Sequence, residues 1–140
     1  MTVPDDVAAF LGRHTRVFLL TRRRDGSPTM HPMTGFFADG RITMSTYRKS
    51  AKARNVERDP RAACLVVNGY GTADVRAVLV RGTAALRRAE AAAFPAAGHE
   101  TPAVSASVAG RVAERMASGK RVFLDVAPDE TGFVQRLGSE

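Results

Sequence analysis

The chain has 140 residues and a formal charge of +7, from 21 Lys and Arg against 14 Asp and Glu. This length fits one domain, residues 1–140, and 44% hydrophobic residues exclude disorder throughout and supply a core without metal or disulfide help. Apolar runs such as residues 62–67 fall far short of the roughly 20 residues that cross a bilayer. Residues 1–6 lack the basic-then-apolar order of a secretory signal, and the lone Cys64 excludes an internal disulfide, so a cytoplasmic protein is expected.

Residues 4–12 read as a short helix. Pro4 suits its first turn, Asp5 and Asp6 favour its N-terminus, Val7, Phe10 and Leu11 share a side, and Gly12 ends it. A strand with an apolar centre follows over 16–23. Asp25-Gly26 marks a hairpin turn into a second strand, 28–37, which contains Pro32 and Gly35. Asp39-Gly40 marks another hairpin into a third strand, 41–46. Residues 50–59 read as a helix with Ser50 as N-cap and Pro60 as terminator. Strands are expected over 61–68 and 73–86, then two helical pieces, 88–94 and 103–118. Two closing strands, 121–126 and 131–137, flank a turn at Pro128-Asp129. Six or seven strands in runs predict an α+β or barrel fold rather than a doubly wound sheet.

Only three basic residues are lysines: Lys49, Lys52 and Lys120. The arginines spread along the chain, and aromatics are 6% with no Trp. A single-strand nucleic-acid binder would interleave bases and aromatics, so a basic nucleic-acid-associated β-domain is the weakest reading. His14, His31 and His99 are scattered and no pair has zinc spacing. Cys64, inside an apolar strand, reads as a core residue. No serine nucleophile motif and no carboxylate pair is present, so no catalytic residue is assigned.

The 50–59 helix is unusual. Its apolar stripe is thin, with Ala51 and Val56, and its charges oppose the macrodipole: Lys49 and Lys52 sit at the positive end, Glu57 and Asp59 at the negative end. An anion held by free N–H groups, the Ser50 hydroxyl, Arg48 and Lys52 would reverse that sign. A solvated basic helix explains the pattern equally well. In the second strand, Pro32 removes a ladder donor, which suits an edge or a ligand-facing position, and Gly35 lets a partner approach closely.

Residues 24–28 (Arg-Asp-Gly-Ser-Pro), Pro32, Asp39-Gly40, Ile-Thr-Met-Ser-Thr (42–46) and Ser-Ala-Lys-Ala-Arg-Asn-Val-Glu-Arg-Asp-Pro (50–60) form an ordered set. This set resembles the pyridoxamine 5′-phosphate oxidase-like split barrels, which use flavin or deazaflavin. The resemblance implies a six-stranded antiparallel split β-barrel with short flanking helices. It further implies a homodimer holding FMN or coenzyme F420 at the subunit interface. On this model the backbone of His31, Pro32, Met33 and Thr34 lies along the ring, and Ser45, Thr46 and Lys52 hold the phosphate, with Arg48, Lys49, Ser50 and Asn55 nearby. Where oxidases acting on pyridoxamine phosphate resemble Arg-Lys, this chain has Ala51-Lys52. They also carry basic residues where it has Thr29 and Thr34. The implied function is therefore hydride transfer between FMN or F420 and a small unsaturated organic substrate, not oxidation of pyridoxamine phosphate. A non-catalytic flavin, haem or tetrapyrrole binder on the same barrel is the alternative.

Overall fold

The computed structural model of the protein describes residues 2–69, 73–88 and 119–134. Helix α1 (Asp5–Arg13) leads into β1 (Arg16–Arg22), β2 (Pro28–Ala38) and β3 (Arg41–Tyr47). Helix α2 (Ala51–Arg58), β4 (Arg61–Val67), β5 (Ala77–Arg88) and β6 (Arg121–Phe133) follow. The six strands pair antiparallel and close into a barrel in the order β1-β2-β3-β6-β5-β4. The expected six-stranded, mainly β barrel is thus the observed fold. Of the two helices expected over 88–94 and 103–118, residues 89–94 and 103–118 lie outside the described residues, and Arg88 is the last residue of strand β5.

Alternation sorts the strands into an inner and an outer face. Val17, Leu19, Ile42, Met44, Cys64, Val66, Val78, Val80, Leu124 and Val126 fill the interior. Cys64 is completely buried, and desolvation pushes its thiol up to about 12, as expected of a core residue rather than a nucleophile. The helices close opposite ends of the barrel. Helix α1 precedes β1 directly and places Val7, Phe10 and Leu11 in the core. Gly12 lies within α1 rather than ending it; the helix runs one residue further, and the His14 N–H donates to the Phe10 carbonyl. Helix α2 sits beyond the other end of β1. Its Asn55 amide donates to Thr21 Oγ1 at 3.1 Å, and Arg58 Nη2 donates to the Arg22 carbonyl and to Asn55 Oδ1, both at 3.0 Å.

The two Asp-Gly hairpins form as expected. Asp39 and Gly40 have φ of 54° and 74°, the pair of left-handed residues that a type I′ turn requires. Two expected strands at the C-terminus are instead one. β6 runs through Pro128 and Asp129 without turning, because the register shifts between Arg81 and Gly82: Arg81 faces Glu130 and Gly82 faces Pro128, leaving Asp129 as the bulged residue. A Pro-Asp pair signals a turn or a bulge equally well, and here it is the bulge. Gly82 makes it possible, since a Cβ there would strike the Ala127 carbonyl oxygen and lie 2.9 Å from its carbon. β5 also begins at Ala77, four residues later than expected.

On the outer face of β3, β5 and β6, Asp125 is buried and accepts hydrogen bonds from Thr43 Oγ1 (2.7 Å), Arg87 Nε (2.7 Å) and Arg87 Nη2 (3.2 Å). Burial pushes the Asp125 carboxyl up, but the bonds from Arg87 and Thr43 and the charges of Arg87 and Arg41 outweigh it. The carboxyl therefore titrates below its ordinary value.

Two stability measurements check this frame. Gly82→Ala forces backbone against backbone and lowers stability by about 2 kcal/mol or more, read as a fall in melting temperature; an unchanged melting temperature would contradict the bulge geometry. Because the folded-state pKa of Asp125 is depressed, its stabilisation is complete above the ordinary carboxylate pKa of about 4 and disappears as pH falls through the lowered value. The stability difference between the wild type and Asp125→Asn is therefore constant near neutrality and shrinks in acid, as urea denaturation across pH will show.

A split in the barrel wall as candidate functional site

The barrel closes only because β2 changes neighbours along its length. Residues 28–34 of β2 pair with β1, from Arg22↔Pro28 to Arg16↔Thr34. Residues 35–38 pair with β3, from Gly35↔Met44 to Ala38↔Arg41. Residues 45–47 of β3 pair with β6 alone. One further step of the β2–β3 register would set Thr34 against Ser45, and that pair is not made. The wall is therefore split between the first half of β2 and the end of β3, and backbone groups along this β2 edge meet no strand.

Gly35 marks the switch. A Cβ there would lie 2.9 Å from Val17 Cγ2, 3.0 Å from Ile42 Cγ2 and 3.1 Å from Met44 Cγ. The close approach expected at Gly35 is thus made by the barrel core and not by a ligand.

The split brings together most of the residues singled out from sequence. Pro32 and Thr34 point outward and are exposed, opposite Phe18 and Arg16 of β1. His31 and Met33 alternate inward and are half-buried. Across the gap, Ser45 Oγ is buried and has no hydrogen-bond partner, and neither has His31 Nε2. Buried polar atoms are almost always bonded, so each unmet one is notable; alternation sets His31 on the inner row of β2 and Ser45, between Met44 and Thr46, on the outer row of β3. Thr46 is buried, and its hydroxyl lies 3.0 Å from Ser50 Oγ. Ser50 caps α2 as expected, accepting from the Ala53 N–H at 3.2 Å. Lys52 is half-buried in the first turn of α2.

The charge around the gap is positive. His31 titrates below its ordinary value, first because burial disfavours the imidazolium and then because Lys52 and Arg23 repel it. It is therefore neutral at pH 7. Arg23, in the arginine run after β1, was not distinguishable in the sequence from a solvated surface residue. Its effect on His31 comes from the hairpin that folds β2 back along β1. Helix α2 has no acidic residue in its first turn, so no carboxylate of that turn offsets its positive end.

Three residues of the expected set stand apart from this grouping. Arg48 and Lys49 are exposed on the turn before α2, and Arg48 lines a cavity on the far side of that turn, beside Arg121. Asn55 is buried with its amide engaged by Thr21 and Arg58, which fixes the helix to β1. Among the described residues no group of His, Cys, Asp or Glu is arranged to hold a metal ion, and no helix is long and apolar enough to cross a membrane.

Removing the Lys52 charge relieves one of the influences on His31. Lys52→Ala therefore raises the His31 pKa toward its ordinary value, as an NMR titration of the imidazole resonances will show. An unmoved His31 titration would mean that the two side chains do not share the gap.

Comparison with known proteins agrees with the barrel fold. No curated protein matches the chain. The sequence model of pyridoxamine 5′-phosphate oxidase matches residues 3–135. Among solved structures, the conserved hypothetical protein Rv2991 from Mycobacterium tuberculosis superposes with a TM-score of 0.71 at 23% identity, over 100% of this chain and 93% of that one. An F420 reductase gives 0.65 at 22% identity, over 93% of this chain and 98% of that one. HutZ, the haem storage protein of Vibrio cholerae, gives 0.61 at 12% identity, over 96% and 94%. At these identities the superpositions speak to the barrel alone, whereas the sequence match spans nearly the whole chain: this protein belongs to the pyridoxamine 5′-phosphate oxidase family.

Proposed function

We propose that the protein is an oxidoreductase that binds FMN or coenzyme F420 in the split between β2 and β3. The observation that carries this reading is the split itself. It combines an unpaired β2 edge, two buried polar atoms without partners and uncompensated positive charge at the start of α2. A planar ligand with hydrogen-bonding edges and an anionic tail supplies what all three lack. The β2 backbone over residues 31–34 offers donors and acceptors to the ring. Ser45, Ser50 and Lys52 suit the phosphate, the first with an unmet hydroxyl and the last with a charge that the local helix geometry does not satisfy. Neutral His31 can donate or accept one hydrogen bond at Nε2 without adding charge beside the ring.

When bound, a flavin or deazaflavin supplies hydride chemistry, for which the residues present need only bind, orient and exclude water. This accounts for the absence of an acid–base pair or nucleophile among the described residues. A small unsaturated organic compound is the substrate class that this chemistry serves. The presence of Ala51, Thr29 and Thr34 where oxidases acting on pyridoxamine phosphate carry basic groups favours such a relative over a true pyridoxamine phosphate oxidase.

The outer face supports a homodimer. Pro32, Phe18, Leu65 and Leu79 are aligned across four strands by the β2–β1, β1–β4 and β4–β5 registers, with Met30 and Leu20 in the next row. Met30 is 59% exposed. Such a continuous apolar band on the outside of a barrel, ending at the split, suits a second copy that completes the ligand site.

Titration of the purified protein with FMN, F420 and haem tests the reading. FMN or F420 is expected to bind at micromolar concentration with quenched fluorescence. Lys52→Ala is expected to weaken that binding about 10- to 100-fold at unchanged melting temperature. Binding of haem alone, or an unaffected Lys52→Ala variant, contradicts it. Leu65→Glu places a charge in the apolar band and is expected to halve the mass measured by light scattering. A wild-type monomer would remove the dimer from the account.

A further inference from the structure

On the other side of the α2 turn lies a feature that the cofactor reading does not use. An open cavity of about 490 Å³ is lined by Arg48, Glu57, Leu86, Arg87, Arg88, Gly119, Arg121 and Val122. It sits where the end of β5 and the start of β6 meet α2. Four arginines and one carboxylate converge there, and the ion pairing among the described residues is incomplete. Arg87 is engaged by Asp125 at 2.7 Å. Arg48, Arg88 and Arg121 form no salt bridge with any described acidic group, and Glu57 forms none with them. Arg121 is held in place by the Tyr47 ring, 4.5 Å from its guanidinium carbon, while its Nε and Nη1 are buried without an acceptor. A guanidinium stays charged at every physiological pH, so its unmet donors call for an oxyanion rather than a change of protonation.

We propose that this cavity is a second ligand site, for a compact polyanion carrying carboxylate or phosphate groups, distinct from the split that takes the cofactor. Arg121 and Arg88, from β6 and β5, grip its oxyanions, and Arg48 contributes from the turn between the two sites. Glu57 opposes the arginines and so limits the negative charge that the site accepts, while the four arginines together disfavour a lone cation. The volume lies in the range of small-molecule sites and exceeds what a single phosphate fills. The proposal stands independently of the cofactor, because none of the β2 residues lines the cavity.

Calorimetric titration of the full chain with citrate, pyrophosphate and inorganic phosphate tests it. Saturable binding of citrate or pyrophosphate, tighter than that of phosphate, is expected, together with a ligand-dependent rise in melting temperature. Arg88→Gln, at an exposed position, is expected to weaken that binding about tenfold and to leave FMN affinity within twofold, as is Arg121→Gln if it folds. Citrate against pyrophosphate identifies which chemistry the site prefers. Absence of saturable binding, or unchanged affinity in Arg88→Gln, overturns the proposal. So does polyanion binding that is lost in Lys52→Ala and competes with FMN, which would place the anion in the split instead.

Discussion

Backbone hydrogen bonding of β2 is the constraint on which the rest depends. A strand inside a closed barrel should bond on both sides, and β2 does so with different partners in different halves and with both partners fully in neither. An unpaired edge is a liability, open to water, to another chain or to a ligand. Pro32 reduces the liability by removing one donor. The remaining groups face a gap whose other side is built from polar and cationic residues of β3 and α2. The fold thereby holds a strip of backbone open beside positive charge, and a planar anionic cofactor is the partner whose chemistry matches both.

The rest of the architecture keeps that gap in place. Gly35 lets β2 pass from β1 to β3 over Val17, Ile42 and Met44 without displacing them. The bulge at Gly82 lets the long β5 and β6 strands close the barrel on the opposite side. Helix α2 is pinned at its C-terminal half through Asn55, Arg58 and Asp59. Asp59 accepts two bonds from the Arg61 guanidinium, 3.0 and 2.9 Å, and bonds with Arg61 hold its carboxyl down at about 2. Anchored this way, the helix presents its first turn to the gap without needing a large apolar face.

Much of the barrel was legible in the sequence because its signals are local. The two Asp-Gly turns, the Ser50 cap and strands β1 to β4 each depend on a few adjacent residues, and each forms within a residue of where it is expected. Pro128-Asp129 was misread because a turn and a bulge share composition, and only the facing glycine, 46 positions earlier in the chain, decides between them. Asn55 carried no sign that its amide turns inward to Thr21, since that bond joins residues 34 apart. The misplaced charges of α2 did mark a positive, uncompensated helix start. They could not show that Arg48 lies on one side of the turn and Lys52 on the other. Arg88 and Arg121 looked like scattered surface arginines because only the β5–β6 pairing brings them together.

Residue-resolved amide exchange along β2, measured with and without FMN or F420, tests the central claim most directly. The account predicts that amides of residues 29–34 facing the gap exchange rapidly in the free protein, in contrast to their neighbours bonded to β1. It predicts that they become protected when the cofactor is added, together with the first turn of α2. Protection that appears elsewhere on the barrel while this edge continues to exchange freely would contradict it.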